Sequence, residues 1–148
     1  MNRLYLDLEG TLIVNENDQR LLSQFRDKIN ELKKDADEIW IFSSVIASQE
    51  DINHFKNSIL YKDIEISFGI KITGCVPIDL AWQNLYDTKL ITKHDILLKP
   101  TKQSLFFAYV TENFTEGTFV LYDDTLYQKS QIFINNLTIK YEPVHEIF

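Results

Sequence analysis

Acidic, hydroxyl and lysine side chains in this sequence gather where short apolar runs stop. Leu4-Tyr5-Leu6 ends in Asp7, with Glu9, Gly10 and Thr11 directly behind; residues 39–42 (IWIF) end in Ser43-Ser44; residues 118–122 (TFVLY) end in Asp123-Asp124. Lys99 follows a fourth apolar run, 96–98, and stands just before Pro100. Taken singly, an acid at the end of an apolar run reads as a solvated strand end or a helix cap. Four separate places repeating the pattern point to one shared edge.

The residue types suit one another chemically. Carboxylate oxygens are the ligands a hard cation such as Mg²⁺ prefers, and Mg²⁺ takes one or two of them together with water and phosphate oxygens. Asp7, Glu9, Asp123 and Asp124 are the candidate ligands, and Asp7 with either Asp123 or Asp124 would suffice. Several carboxylates in one place repel, so a divalent cation and a lysine are needed to keep them ionised, and Lys99 is the candidate. A phosphate drawn to that cation could be held by Ser43 or Ser44, by Lys99, and by backbone N–H groups at Glu9 to Thr11. An aspartate so placed can attack phosphorus and carry an aspartyl-phosphate.

The elements that would position these groups follow from the apolar spacing. Residues 4–6 read as a buried strand. Asp18 is placed to cap a helix over about 19–34, in which Leu21, Leu22, Phe25, Ile29 and Leu32 make one apolar face. With residues 39–42 as the next strand this is a βαβ rhythm, the signature of a parallel sheet. A second helix is expected over 48–61 with Ser48 as its cap, then a strand or an extended hairpin arm over 64–72 and a short helix after Pro77. Thr101 is expected to cap a helix to about Asn113 that buries Leu105, Phe106, Tyr109 and Val110. Strand 118–122, a helix over 125–135, and a last strand over 137–144 complete the chain, with Pro143 favouring a sheet edge or a strand end. The predicted fold is therefore α/β, a single domain spanning residues 1–148. In such sheets ligands bind at the carboxyl ends of the strands, where all four polar stations lie.

Composition narrows the classes. The chain has 148 residues, 45% of them hydrophobic and 25% charged, values of a folded globular domain. A net charge of −7 argues against general nucleic-acid binding or an anionic membrane as partner. Cys75 is the only cysteine, so neither an internal disulfide nor a thiolate zinc site is available. No apolar stretch is long enough to span a bilayer and no leader pattern precedes the first strand, so a cytoplasmic location is expected. His54, His94 and His145 lack metal-ligand spacing, and Trp40 reads as core. Trp82 and Tyr86 read as packing, with a site entrance or partner surface as the sharper option.

In these motifs the chain resembles the haloacid dehalogenase-like superfamily. Asp7-Leu8-Glu9-Gly10-Thr11-Leu12 matches that family's Asp-x-Asp-Gly-Thr-Leu in all but one position, and IWIF-Ser43, Lys99-Pro100 and Leu121-Tyr122-Asp123-Asp124 follow as its second, third and fourth motifs, in order. The resemblance implies a Rossmann-like three-layer sandwich with a mostly parallel sheet, and a Mg²⁺-dependent phosphatase working through a covalent intermediate on Asp7. It further implies that Thr11 supports the loop, that Ser43 and Lys99 bind phosphate, and that Asp123 or Asp124 holds the metal. The spacing leaves no room for a large cap, so an open site and a macromolecular or extended phosphorylated substrate are expected. Glu9 is the departure. The family's second acid protonates the leaving oxygen and then activates water, and one extra methylene shifts that carboxyl group. The alternative is a catalytically weak or inactive phosphate-binding or regulatory protein. A receiver-like phosphoacceptor fits the first motif poorly.

Overall fold

The computed structural model describes residues 1–88 and 101–145. Its sheet is built from β1 (Asn2–Leu6), β2 (Glu38–Phe42), β3 (Gly74–Val76), β4 (Glu116–Asp123), β5 (Ser130–Ile134) and β6 (Asn136–Pro143), in the spatial order β3-β2-β1-β4-β6-β5. Every neighbouring pair is parallel except β5 with β6. β1 is central and covered on both faces: Leu4, Tyr5 and Leu6 are all inaccessible to solvent. An uninterrupted apolar run is what a strand buried on both faces requires.

Helices α1 (Arg26–Lys33), α2 (Gln49–Lys56), α3 (Ile59–Phe68), α4 (Ile78–Asp87) and α5 (Lys102–Asn113) form the outer layers. On one face Leu4, Leu6, Ile39, Ile41 and Tyr122 pack with Ile29, Ile52, Ile64 and Phe68 from α1, α2 and α3. On the other, Tyr5, Phe42, Phe119, Leu121 and Tyr141 pack with Ala81, Leu85, Phe106 and Tyr109 from α4 and α5. The fold is thus the expected α/β three-layer sandwich around a mostly parallel sheet. Tyr5, Phe42, Phe106 and Tyr109 meet ring to ring with centroids 5.1–6.4 Å apart, and the Tyr5 and Tyr109 hydroxyls lie 3.2 Å from one another.

Several elements depart from the sequence expectation. The helix foreseen over 19–34 begins only at Arg26, after a single 3₁₀ turn at Ser23–Phe25. The preceding residues are held extended instead, by a bridge between Ile13 and Leu21 and by Val14 N–H donating to the Arg20 carbonyl. Asp18 pairs with Arg20 at 2.7 Å and caps nothing. The helix foreseen over 48–61 is two: α2 with a Ser48–Asp51 capping box, and α3 with Ser58 as its N-cap. Residues 64–68, expected in a strand over 64–72, belong to α3, which ends where Gly69 turns left-handed at φ 65°. Ile64 and Phe68 are four apart and both buried, whereas Ile66 between them is exposed, so helical spacing overrides the apparent alternation. The helix foreseen over 125–135 is replaced by β5, paired with β6 through a tight turn at Asn135, φ 54°. Pro143 closes β6, which is an interior strand, so of its two allowed placements the strand end is the one realised. No described helix is long and apolar enough to cross a membrane.

Candidate functional site

Parallel pairing carries the carboxyl ends of β1, β2 and β4 to one edge, and the Asp7 N–H extends the β1–β4 ladder by donating to the Tyr122 carbonyl at 3.2 Å. Asp7 and Asp123 emerge side by side there, 5% and 0% exposed. Asp124 joins them: each of the three offers an oxygen within 4.8 Å of the others. Among the described residues this is the one acidic group close enough to share a cation.

Lys102 enters the cluster from the first turn of α5. Its Nζ donates to Asp7 Oδ1 at 3.2 Å and to Asp123 Oδ2 at 2.8 Å, and it stands 5.5 Å from the centre of the Phe42 ring. Burial opposes the charge on Lys102, but Asp7 and Asp123 outweigh that cost and raise its pKa, so it remains an ammonium. Asp123 is the most heavily bonded of the three, its Oδ1 accepting from the Thr125 N–H at 2.8 Å and hydroxyl at 2.6 Å while Oδ2 takes Lys102. Asp7 is the acid left in excess. Burial pushes its carboxyl up to about 8; Lys102 pulls it down, and Asp123 and Asp124 add to the rise.

The loop after Asp7 is shaped by its own backbone. The Thr11, Leu12 and Ile13 N–H groups all donate to the Leu8 carbonyl, and the Gly10 N–H donates to the Ile13 carbonyl at 2.8 Å. Of the loop N–H groups from Glu9 to Thr11 expected to cradle phosphate, those of Gly10 and Thr11 are therefore spent on the turn itself. Gly10 has φ 76°, and a Cβ there would run into the Asp124 carboxylate. Both facts demand glycine. Thr11 is fully buried, its hydroxyl without a hydrogen-bond partner among the described residues.

Around the cluster lies a cavity of about 620 Å³, lined in part by Asp7, Glu9, Ser44, Lys102 and Asp124. Glu9 stands on this wall, outside the group formed by Asp7, Asp123 and Asp124. Ser44 faces the cavity as expected. Ser43 is buried, and its hydroxyl accepts from the Val45 N–H at 3.4 Å. Lys99 lies outside the described residues. Lys102, by contrast, was not among the residues singled out from the sequence, where it read only as part of a helix. One signal was present: a lysine in the first turn sits at the positive end of the helix dipole, where acids are favoured, and α5 has no acid there. Trp82, Thr125 and Tyr127 also meet at the cavity or its acids.

Comparisons with family models, curated proteins and solved structures find no match to the chain. What the site does is therefore read from its own chemistry.

Proposed function

We propose that the chain is a Mg²⁺-dependent phosphohydrolase of the haloacid dehalogenase-like kind, with Asp7 as the nucleophile toward a phosphate monoester and the cytoplasm as its setting. The observation that carries this reading is the group of three carboxylates, Asp7 and Asp123 buried and Asp124 half-buried, with one ammonium paired to the first two, at the carboxyl edge of a parallel sheet. Its donors are all oxygen, and three acids against one lysine leave negative charge uncompensated, the condition a hard divalent cation answers. Asp7 and Asp124 are the ligands with oxygens to spare. Asp123, with both oxygens taken, orients Lys102 instead. When bound, Mg²⁺ would offset charge on the phosphate oxygens and draw phosphorus toward Asp7.

The chain's own residues supply the remaining steps. Lys102, the Ser44 hydroxyl and the N-terminus of α5 hold the non-bridging phosphate oxygens. An Asp7 oxygen forms a bond to phosphorus, the bond from phosphorus to the leaving oxygen breaks, and Glu9 donates a proton to that oxygen. Glu9 then accepts a proton from water as the water oxygen bonds to phosphorus. The bond between phosphorus and Asp7 breaks, inorganic phosphate leaves, and both acids return to their starting states. The longer side chain of Glu9 supports a second reading, a site that binds phosphate and turns over weakly or not at all. Aryl phosphate hydrolysis with and without Mg²⁺, in the parent, Asp7→Asn and Glu9→Asp, separates the two. Mg²⁺-dependent activity lost in Asp7→Asn is the expected result. An inert parent that gains activity as Glu9→Asp would establish the binding protein instead.

A further inference from the structure

The same cavity carries information about the organic part of the ester. Among the described residues lining it, Lys102 is the only cation, while Asp7, Glu9 and Asp124 are acids. One phosphate can be paired there; a second would face carboxylates. Away from the acids the walls are mostly apolar, with Ile78 and Trp82 from α4, Leu105 from α5, and Leu126 and Tyr127 from the segment after β4, beside the uncharged polar Thr101, Gln103 and Thr125.

The two aromatic side chains are the telling ones. Tyr127 is 76% exposed, belongs to neither core cluster, and makes no hydrogen bond or ring contact among the described residues. Trp82 packs only partly against the core, and its indole N–H has no partner among the described residues. Packing alone explains Trp82 in part and Tyr127 not at all. Two large aromatic faces bordering a cavity beside a single-phosphate site suit a flat ring, because stacking is favourable and indifferent to the ring's substituents.

We infer that the site takes a phosphate monoester whose organic part carries a flat aromatic ring, with the phosphate at Asp7 and Lys102 and the ring against Trp82 and Tyr127. This rests on the phosphohydrolase reading and narrows its substrate class. The test is calorimetric titration of the full chain, in Mg²⁺, with phenylphosphonate and methylphosphonate, neither of which can be hydrolysed. Phenylphosphonate is expected to bind about tenfold more tightly. Trp82→Leu and Tyr127→Ala should each bring that ratio below about threefold, with circular dichroism confirming the fold; Tyr127, being exposed, can be replaced without touching the core. Equal affinities in the parent, or a ratio indifferent to both substitutions, would overturn the aromatic subsite while leaving phosphate binding intact. Failure of both phosphonates to bind would instead remove the phosphohydrolase reading beneath it. Turnover then distinguishes the source of the ring: faster hydrolysis of phosphotyrosine marks an aryl ester and faster hydrolysis of a nucleoside 5′-monophosphate a nucleotide. A sugar phosphate without an aromatic ring preferred over both would overturn the inference.

Discussion

Lys102 is the residue on which the acids depend. With it, Asp7 and Asp123 share one ammonium at 3.2 and 2.8 Å; without it, three carboxylates stand together in a largely dry place. Lys102→Met keeps the aliphatic stem and removes the charge, and breaking a buried pair this way costs about 3 kcal/mol. Thermal melts should show that loss near pH 7.5 and a smaller one near pH 5, where protons can replace the missing cation. Asp7 has the opposite leverage in the metal-free protein. Its carboxyl is raised to about 8, so between pH 4 and 8 the folded chain holds a proton that the unfolded chain has released. Stability from this group is therefore full at low pH and falls as pH rises through that window. Asp7→Asn should flatten the slope, measured by melts at pH 5 and 8 in chelator. Cys75 makes a simpler case: it is buried and its thiol is pushed up to about 11 by burial, so a thiol reagent at pH 8 should label it only after denaturation.

Helix α5 turns the placement of Lys102 into a property of local sequence. Thr101 accepts the Ser104 N–H at 3.2 Å and so fixes where the helix starts, which in turn fixes Lys102 in its first position. Thr101→Ala should cost about 1 kcal/mol in denaturant unfolding and loosen the hold on the acids, seen as a further loss of Mg²⁺ affinity. This cap, the buried set Leu105, Phe106, Tyr109 and Val110, and strands β1, β2 and β4 with their polar ends were all legible in the sequence, because each joins a long or strongly patterned apolar run to a clear stop. The misread segments are those where local pattern was ambiguous. IEISF alternates like a strand, yet its burial follows Ile64 and Phe68, a spacing that makes sense only against Ile29 and its neighbours across the layer. SQIFI has no buried residue and owes its extended form to the ladder of five residue pairs it shares with β6, a partner that propensity within the segment cannot reveal. The site shows the same division. Asp7, Asp123 and Asp124 could be read from strand ends, whereas Lys102, Trp82 and Tyr127 arrive from helices and a loop whose convergence only the packed sheet determines.

Sheet order makes the site a joint between two halves of the molecule. β1 and β4 are adjacent, so Asp7 closes the half that runs to β3 while Asp123 and Asp124 close the half that runs to β5, and α5 reaches over from one outer layer to bring Lys102 between them. A cation shared by Asp7 and Asp124 would tie the two halves together in the folded state and find no comparable set of ligands in the unfolded chain. Binding restricted to the native state stabilises it by mass action, about 2.7 kcal/mol when the ion is at a hundred times its dissociation constant. Mg²⁺ should therefore raise the melting temperature in a concentration-dependent manner, and the gain should be larger at pH 8 than at pH 5, because the ion must displace the proton that Asp7 otherwise keeps. Asp124→Asn and Asp7→Asn should each abolish most of the gain. Thr125→Val, which strips one donor from Asp123 but leaves Asp7 and Asp124 untouched, should retain it. A melting temperature indifferent to Mg²⁺ at both pH values would place the charge balance of the cluster on protons alone and remove the metal from the proposed chemistry.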